Sequence, residues 1–328
     1  MKKLYFYICA VIMSITVAKA QQAVAVLTHE GTSKTFSGYN ALQNAYKEAA
    51  HGDLITLSSG TFASVSDIEK AVKIRGAGME MDTIYNVAPT ILSGDMNLKV
   101  ADSGNYKFRL EGIYTNSNIY YYTHQQPEFV KCRLSYFKFA IPASTLYNAL
   151  FYHCRIVSAF QIQANSSVTC INCYIDSPRC EDSNTSKGYF NNCVITADRE
   201  SEDNLFGCTL TNCVFANSSS YRYNISINEY TIFHNCLIQE WSPDKTKNTY
   251  ITFKSLSDVF KTYRIGSNSD AEDFELLPAY NSLYGIYSSD FPYSPRLSGP
   301  HIQLMEVAPR TSDAGTLNVR IKVENTIE

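Results

Sequence analysis

Two arginines and two tyrosines carry the most suggestive chemistry in this chain. Arg133 and Arg155 each follow a cysteine directly, in Lys131-Cys132-Arg133 and His153-Cys154-Arg155. Tyr114 and Tyr174 occupy the equivalent slots in the flanking stretches. A guanidinium grips a carboxylate or sulfate with two parallel hydrogen bonds, and phenol rings offer flat stacking faces. Aligned on one surface, Tyr114, Arg133, Arg155 and Tyr174 form a candidate ligand-binding set for an anionic sugar polymer. Neighbouring arginines repel unless neutralised; Glu111, Glu128 and Asp176 are the candidate counter-charges. The competing reading is structural, with each Arg lying over a Tyr ring.

Catalytic constellations are harder to find. Glycoside hydrolysis usually needs two carboxyls about 5–10 Å apart. Asp176 is the one acid three residues after a repeating Cys, and no second carboxylate occupies a matching slot. Asp198, Glu200, Glu202 and Asp203 fall in a connecting loop, where solvation is a simpler reading than Ca²⁺ ligation. The six His share no metal-ligand spacing, and neither Gly-x-Ser-x-Gly nor a phosphate loop occurs. No catalytic residue, metal ligand or cofactor is assigned. Tyr120, Tyr121, Tyr122, Tyr221, Tyr223 and Trp241 could stack on sugars, although alternate residues of a strand point inward.

What must position these groups is a repeat. Cys132, Cys154, Cys173, Cys193, Cys213 and Cys236 follow one another at steps of 22, 19, 20, 20 and 23 residues. Each sits in a similar context, as in Phe190-Asn191-Asn192-Cys193-Val194-Ile195 and Phe233-His234-Asn235-Cys236-Leu237-Ile238. Leu110-Glu111-Gly112-Ile113 continues the series upstream, with Ile in the Cys slot. A period near twenty implies stacked units. Apolar residues at the Cys and two positions later give a strand period. The slot before the Cys is usually Asn, or Gly112, residues that tolerate a left-handed corner. Each unit is thus strand, corner, strand, and no helical period fills the remainder. The expected fold is all-β, a right-handed parallel β-helix with coils about 4.8 Å apart. The cysteines should stack inside as small apolar residues. Cys170-x-x-Cys173 fits the phase of the repeat better than a metal site. A Cys208–Cys213 or Cys170–Cys173 disulfide stays open, since nine cysteines remain after Cys9. The residues following each Cys face outward, so Val194, Val214 and Leu237 would form an exposed apolar strip that needs a cover.

At the N-terminal end Tyr39, Leu42, Ala45, Tyr46 and Ala49 have helical spacing, and Gly52 follows as a stop. A helix there would cap the open end of the β-helix. The pieces Ala41-Leu42-Gln43-Asn44-Ala45, His51-Gly52-Asp53-Leu54-Ile55-Thr56-Leu57, Gly60-Thr61-Phe62, Lys73-Ile74-Arg75-Gly76-Ala77-Gly78 and Thr90-Ile91-Leu92-Ser93-Gly94 resemble the opening of secreted right-handed parallel β-helix proteins, the pectin-lyase-like group. The resemblance spans about residues 36–245 and implies fold alone, because that fold hosts lyases, hydrolases, esterases, adhesins and inert stalks.

Residues 1–20 read as a signal peptide: Lys2 and Lys3, an apolar stretch from Leu4 to Val17, and Ala18-Lys19-Ala20 as cleavage site. Its removal takes Lys2, Lys3 and Lys19 away, and the formal charge from −3 to −6. The 28 Lys+Arg against 31 Asp+Glu exclude a polycationic nucleic-acid binder. A charged fraction of 18% with 24 Tyr argues for a folded chain. No later stretch is long and apolar enough to span a membrane. The expected organisation is a β-helix over 21–263, an irregular linker over 264–300 and a C-terminal β-hairpin over 301–328. Leu317, Val319, Ile321 and Val323 alternate with polar residues there, and the hairpin is the expected cover of the apolar strip.

These readings converge on an exported protein of the periplasm, outer surface or medium, non-catalytic, that binds a polysaccharide, other glycan or surface partner. The alternative is a polysaccharide lyase or glycoside hydrolase on an acidic polysaccharide; only the lyase would bring Ca²⁺. An inert structural stalk is the third possibility.

Overall fold

The computed structural model describes residues 23–84, 86–101, 104–122, 125–140, 147–180, 187–197, 204–217, 227–239, 246–263, 274–297, 299–307 and 319–326. The proposed signal peptide lies outside them. The chain forms a nearly all-β solenoid of about 7 turns. The coils build two sheets, one of eleven strands that includes an antiparallel N-terminal pair and one of thirteen to which some coils give two strands. The coils pair in parallel, as in Glu128–Val130 against Tyr147–Tyr152 and Arg133–Phe139 against Arg155–Ile162.

The corner between the two sheets falls where the repeat places it. Lys131, His153, Asn172, Asn192, Asn212 and Asn235 all have φ between +50° and +53°, and Gly112 has φ +64°. Asn tolerates this left-handed backbone at low cost. Lys131 and His153 do not share that tolerance, and both are tied down by side-chain bonds described below. Successive corners also bond to one another's coils: the Asn172 N–H donates to Asn191 O at 3.0 Å, and the Asn192 N–H to Thr211 O at 2.9 Å.

All nine cysteines beyond Cys9 are free and buried. Neither disulfide left open by the sequence forms. The repeating thiols donate to carbonyls of the preceding coil: Cys132 Sγ to Leu110 O at 3.3 Å, Cys154 to Phe129 O at 3.2 Å, Cys213 to Phe190 O at 3.3 Å. Cys180 and Cys208 lie off this ladder, with their sulfurs 3.3 Å apart. Burial pushes the thiols of Cys154, Cys170 and Cys193 well above the usual range, which keeps them protonated and unreactive. All nine are at most 1% exposed, so a thiol reagent at neutral pH should label none of them in the folded protein and all nine after denaturation. A count below nine in denaturant would reveal a disulfide.

An aromatic stack fills the middle coils. Phe129 and Phe151 lie parallel at 4.9 Å, and Phe137 meets Phe151 edge-on at 5.0 Å. The N-terminal end is closed twice over. Helix α1 (Ala41–Glu48) buries Ala41, Leu42, Ala45 and Tyr46, as its spacing predicts. The Tyr46 hydroxyl accepts the N–H of Glu69 at 2.6 Å and of Lys70 at 2.8 Å. An antiparallel pair, Val24–His29 with Thr32–Ser37, also covers the first coil's edge. The sequence reading did not foresee this pair, whose second strand is almost wholly polar and exposed.

The chain then folds back on itself. Residues 253–263 and 274–297, the latter expected as irregular linker, form a strap along the outside of the coils. Phe253, Val259, Phe260, Phe274, Leu276, Tyr284, Ile286 and Tyr293 pack on Tyr174, Val194, Val214 and Leu237. A short helix, α2 (Pro278–Asn281), sits within it. The strap runs antiparallel to coil growth, with contacts at six coils: Tyr284 Oη donates to Asn235 Oδ1 at 3.1 Å, and Gly285 N–H to Asn212 O at 2.9 Å. Asn172 Nδ2 donates to Ile286 O at 3.1 Å and Phe291 O at 2.8 Å. His153 Nε2 bonds Phe291 O at 3.1 Å, and Lys131 Nζ donates to Arg296 O at 2.5 Å. At the last contact a Cβ on Gly112 would sit 2.6 Å from Leu297 Cδ1, so this corner needs glycine for space as well as for φ. The expected hairpin pairs Gly299–Val307 with Val319–Thr326. Among the described residues, however, the strap covers the apolar strip in the hairpin's place.

Candidate functional site

The four sequence-predicted site residues stand side by side. Tyr114, Arg133, Arg155 and Tyr174 pair in register on successive coils, followed by Val194, Val214 and Leu237. Their environments split the row in two. Tyr114 and Arg133 are half-buried, with the Arg133 guanidinium 4.9 Å from the Tyr114 ring centroid. Arg155 and Tyr174 are 0% exposed. The strap lies over Tyr174, whose ring stacks on Phe274 at 4.0 Å, while its hydroxyl pairs with Thr196 Oγ1 at 3.0 Å. Arg155 Nη1 donates to Glu80 Oε1. With the strap seated, Arg155 and Tyr174 are out of reach of a ligand, which corrects the expectation of a four-residue ligand face.

Glu80, which the sequence reading did not include, is one counter-charge of Arg155. Glu80 reaches it from the loop after Lys73–Arg75, some 75 residues away in sequence. Glu111 and Glu128 serve other cations, and Asp176 accepts from Thr196 Oγ1 at 2.9 Å.

Where that loop meets the strap there is a cleft of about 640 Å³ lined by Glu80, Met81, Asp82, Tyr287, Tyr293 and Arg296 among others. Its carboxylates are oriented by guanidinium groups, Glu80 by Arg155 and Asp82 by Arg296 at 3.8 Å. Burial holds the Tyr293 phenol well above the usual tyrosine range, and the charge of Glu80 acts in the same direction. Glu80 and Asp82 escaped the sequence reading because they sit in the long loop between coils, outside the repeat.

A second surface begins beside Tyr114 and Arg133. The strands of the thirteen-stranded sheet bend there, with register shifts between Thr115 and Asn118 and between Leu134 and Tyr136. The bend resets which residues face out. Beyond it Tyr120, Lys138, Gln161 and Arg179 pair in register, with Asn97 on the coil before. Tyr136 stands next to this row, its ring 6.3 Å from that of Tyr120 and its hydroxyl donating to Gln161 Oε1 at 2.8 Å. Tyr121 points inward instead, donating to Asn148 O at 3.1 Å, as strand alternation requires. Asn97, Tyr120, Tyr136, Lys138 and Arg179 are all partly accessible. The sequence reading missed Lys138 and Arg179 because the bulge after Leu134 and the left-handed Ser177 shift their phase relative to the cysteine, whereas Gln161 keeps the phase of Cys154. A period-two count restarted at Phe137 and Phe139 would have found Lys138.

Among the described residues no group of three or more His, Cys, Asp or Glu is arranged to hold a metal ion. Tyr221, Tyr223, Trp241 and the acids Asp198, Glu200, Glu202 and Asp203 lie outside the described residues. Among the described residues no helix is long and apolar enough to cross a membrane. No protein-family profile, curated protein or solved structure matches this chain.

Proposed function

We propose that this protein is an exported, non-catalytic β-helix of the pectin-lyase-like kind that binds an acidic polysaccharide along the open face of its middle coils. The observation that supports this reading is the in-register row Asn97, Tyr120, Lys138, Gln161 and Arg179, flanked by Tyr136. Side chains at a repeat of about 4.8 Å suit an extended polymer running along the solenoid axis. Lys138 and Arg179 meet carboxylates or sulfates, Tyr120 and Tyr136 stack against sugar rings, the Asn97 amide bonds a hydroxyl, and Gln161 holds the Tyr136 hydroxyl in place. Tyr114 and Arg133 border the row and belong to the same ligand face. Arg155 and Tyr174 lie apart from that row, Arg155 holding the loop through Glu80 and Tyr174 packing on the strap.

The test is binding of polygalacturonate, with uncharged dextran as control. Tyr120→Ala/Lys138→Ala should weaken binding roughly tenfold or more, the scale of one ion pair plus an aromatic contact. Unchanged affinity in that variant refutes the reading. One observation favours a second reading, a glycoside hydrolase: Glu80 and Asp82 share a cleft large enough for a sugar. The same incubation, with and without Ca²⁺, separates the two. New reducing ends that vanish in Glu80→Gln support the hydrolase, whereas unsaturated ends that require Ca²⁺ support a lyase.

A further inference from the structure

The outer face of the eleven-stranded sheet carries a charge arrangement that none of the preceding functions uses. Parallel pairing sets Lys73 beside Arg109 and Arg109 beside Glu128. In the same way Arg75 stands beside Glu111, and Glu111 beside Val130. Glu111 lies within 3.6 Å of Lys73, 3.6 Å of Arg75 and 3.1 Å of Arg109. Glu128 lies 3.4 Å from Lys107 and 3.2 Å from Arg109. Four cations thus share two carboxylates among the described residues, on a chain whose formal net charge is −3. Like charges on adjacent strands destabilise one another, so this face favours an added anion. The side chains of Lys73, Arg75, Lys107 and Arg109 are 43%, 32%, 52% and 32% exposed, within reach of one.

Beside these groups runs a groove of about 290 Å³, lined by Arg109, Glu111, Glu128, Lys131, Leu150 and Tyr152. Lys131 is 4% exposed, a buried cation held in place by its bond to Arg296 O. The Tyr152 ring is stacked on that of His153 at 4.0 Å, which fixes it as a flat wall.

We infer that this groove is a second glycan subsite, taking one acidic sugar residue. Its carboxylate or sulfate ester meets the guanidinium of Arg109 and the ammonium groups of Lys73 and Lys107, and its ring lies against Tyr152. Arg109 supplies the planar two-pronged donor that such oxyanions fit. The inference shares the ligand class of the proposed function but places the ligand on a different sheet.

The probes are dextran sulfate and polygalacturonate, with uncharged dextran as control, and the readout is affinity at fixed ionic strength. Lys73→Ala/Lys107→Ala removes two exposed cations and leaves Arg109 to hold both carboxylates. Its melting temperature should match that of the wild type, and its affinity for the charged probes should fall up to about tenfold. Lys247→Ala/Lys254→Ala removes the same charge from the last coils and should leave affinity unchanged. Equal loss in both double variants, or none in the first, overturns the subsite. If Tyr120→Ala/Lys138→Ala abolishes binding while Lys73→Ala/Lys107→Ala binds normally, the subsite fails and the open-face reading stands. The reverse pattern keeps the subsite and removes the open face. Oxyanion source is read in the same assay: inorganic sulfate that competes as well as the polymers at equal charge concentration contradicts a sugar residue as the ligand.

Discussion

Arg155→Ala should lower the stability of the folded protein by about 3 kcal/mol, the lower end of what breaking a buried ion pair costs. Arg155 is fully buried, and Glu80 retains only 18% of its side-chain exposure. Removing the guanidinium leaves the carboxylate facing a cavity. It also frees the loop that carries Glu80, so the cleft wall should loosen. Glu80→Gln in the Arg155→Ala background should recover part of the loss, because the unpaired charge disappears with it; coupling in the double-mutant cycle measures the pair. Arg133→Ala, one coil away, should change the melting temperature little. Calorimetric or denaturant melts of the four proteins check all of this. A stability loss for Arg133→Ala equal to that for Arg155→Ala contradicts the division of the row.

Val214→Asp should detach the strap. Val214 is 0% exposed between the coils and the strap, close to Gly285. An ionised carboxylate there loses its hydration without gaining a partner, at several kcal/mol. The interior of the solenoid lies on the other side of the sheet, where the cysteines and phenylalanines stay packed. Release of the strap is therefore a cheaper response than unfolding of the coils. Limited proteolysis should cut within 274–297 in the variant and not in the wild type, with the strand signal in circular dichroism retained. Val214→Ala is the control for packing alone. Cuts spread through the coils in Val214→Asp would mean that strap and solenoid unfold as one unit.

The sequence revealed the solenoid because its repeat is dictated locally. A left-handed corner selects Asn or Gly, the next inward slot selects a small apolar residue, and the period follows from chain geometry. The outward row could be read for the same reason, down to the register of Arg133 against Arg155. What covers that row could not. The strap has no period, and it docks through carbonyl oxygens of Ile286, Phe291 and Arg296, which leave no mark in side-chain pattern. His153 and Lys131 were a faint clue, since neither suits a left-handed corner unless something else holds it. Glu80 lay hidden for a related reason: its partner is 75 residues away and no local spacing links them. The bulges after Thr115 and Leu134 turned Lys138 outward against the cysteine phase, so the open face escaped a simple alternation count.

The most direct test of the ligand face is an amine-labelling footprint taken with and without bound polygalacturonate. Lys138 stands on the open row, whereas Lys254 and Lys261 stand at the strap end of the molecule. Protection of Lys138 by the polymer, with Lys254 and Lys261 labelled as fast as in its absence, is the expected result. Equal labelling of Lys138 in both states, or protection confined to Lys254 and Lys261, would contradict it.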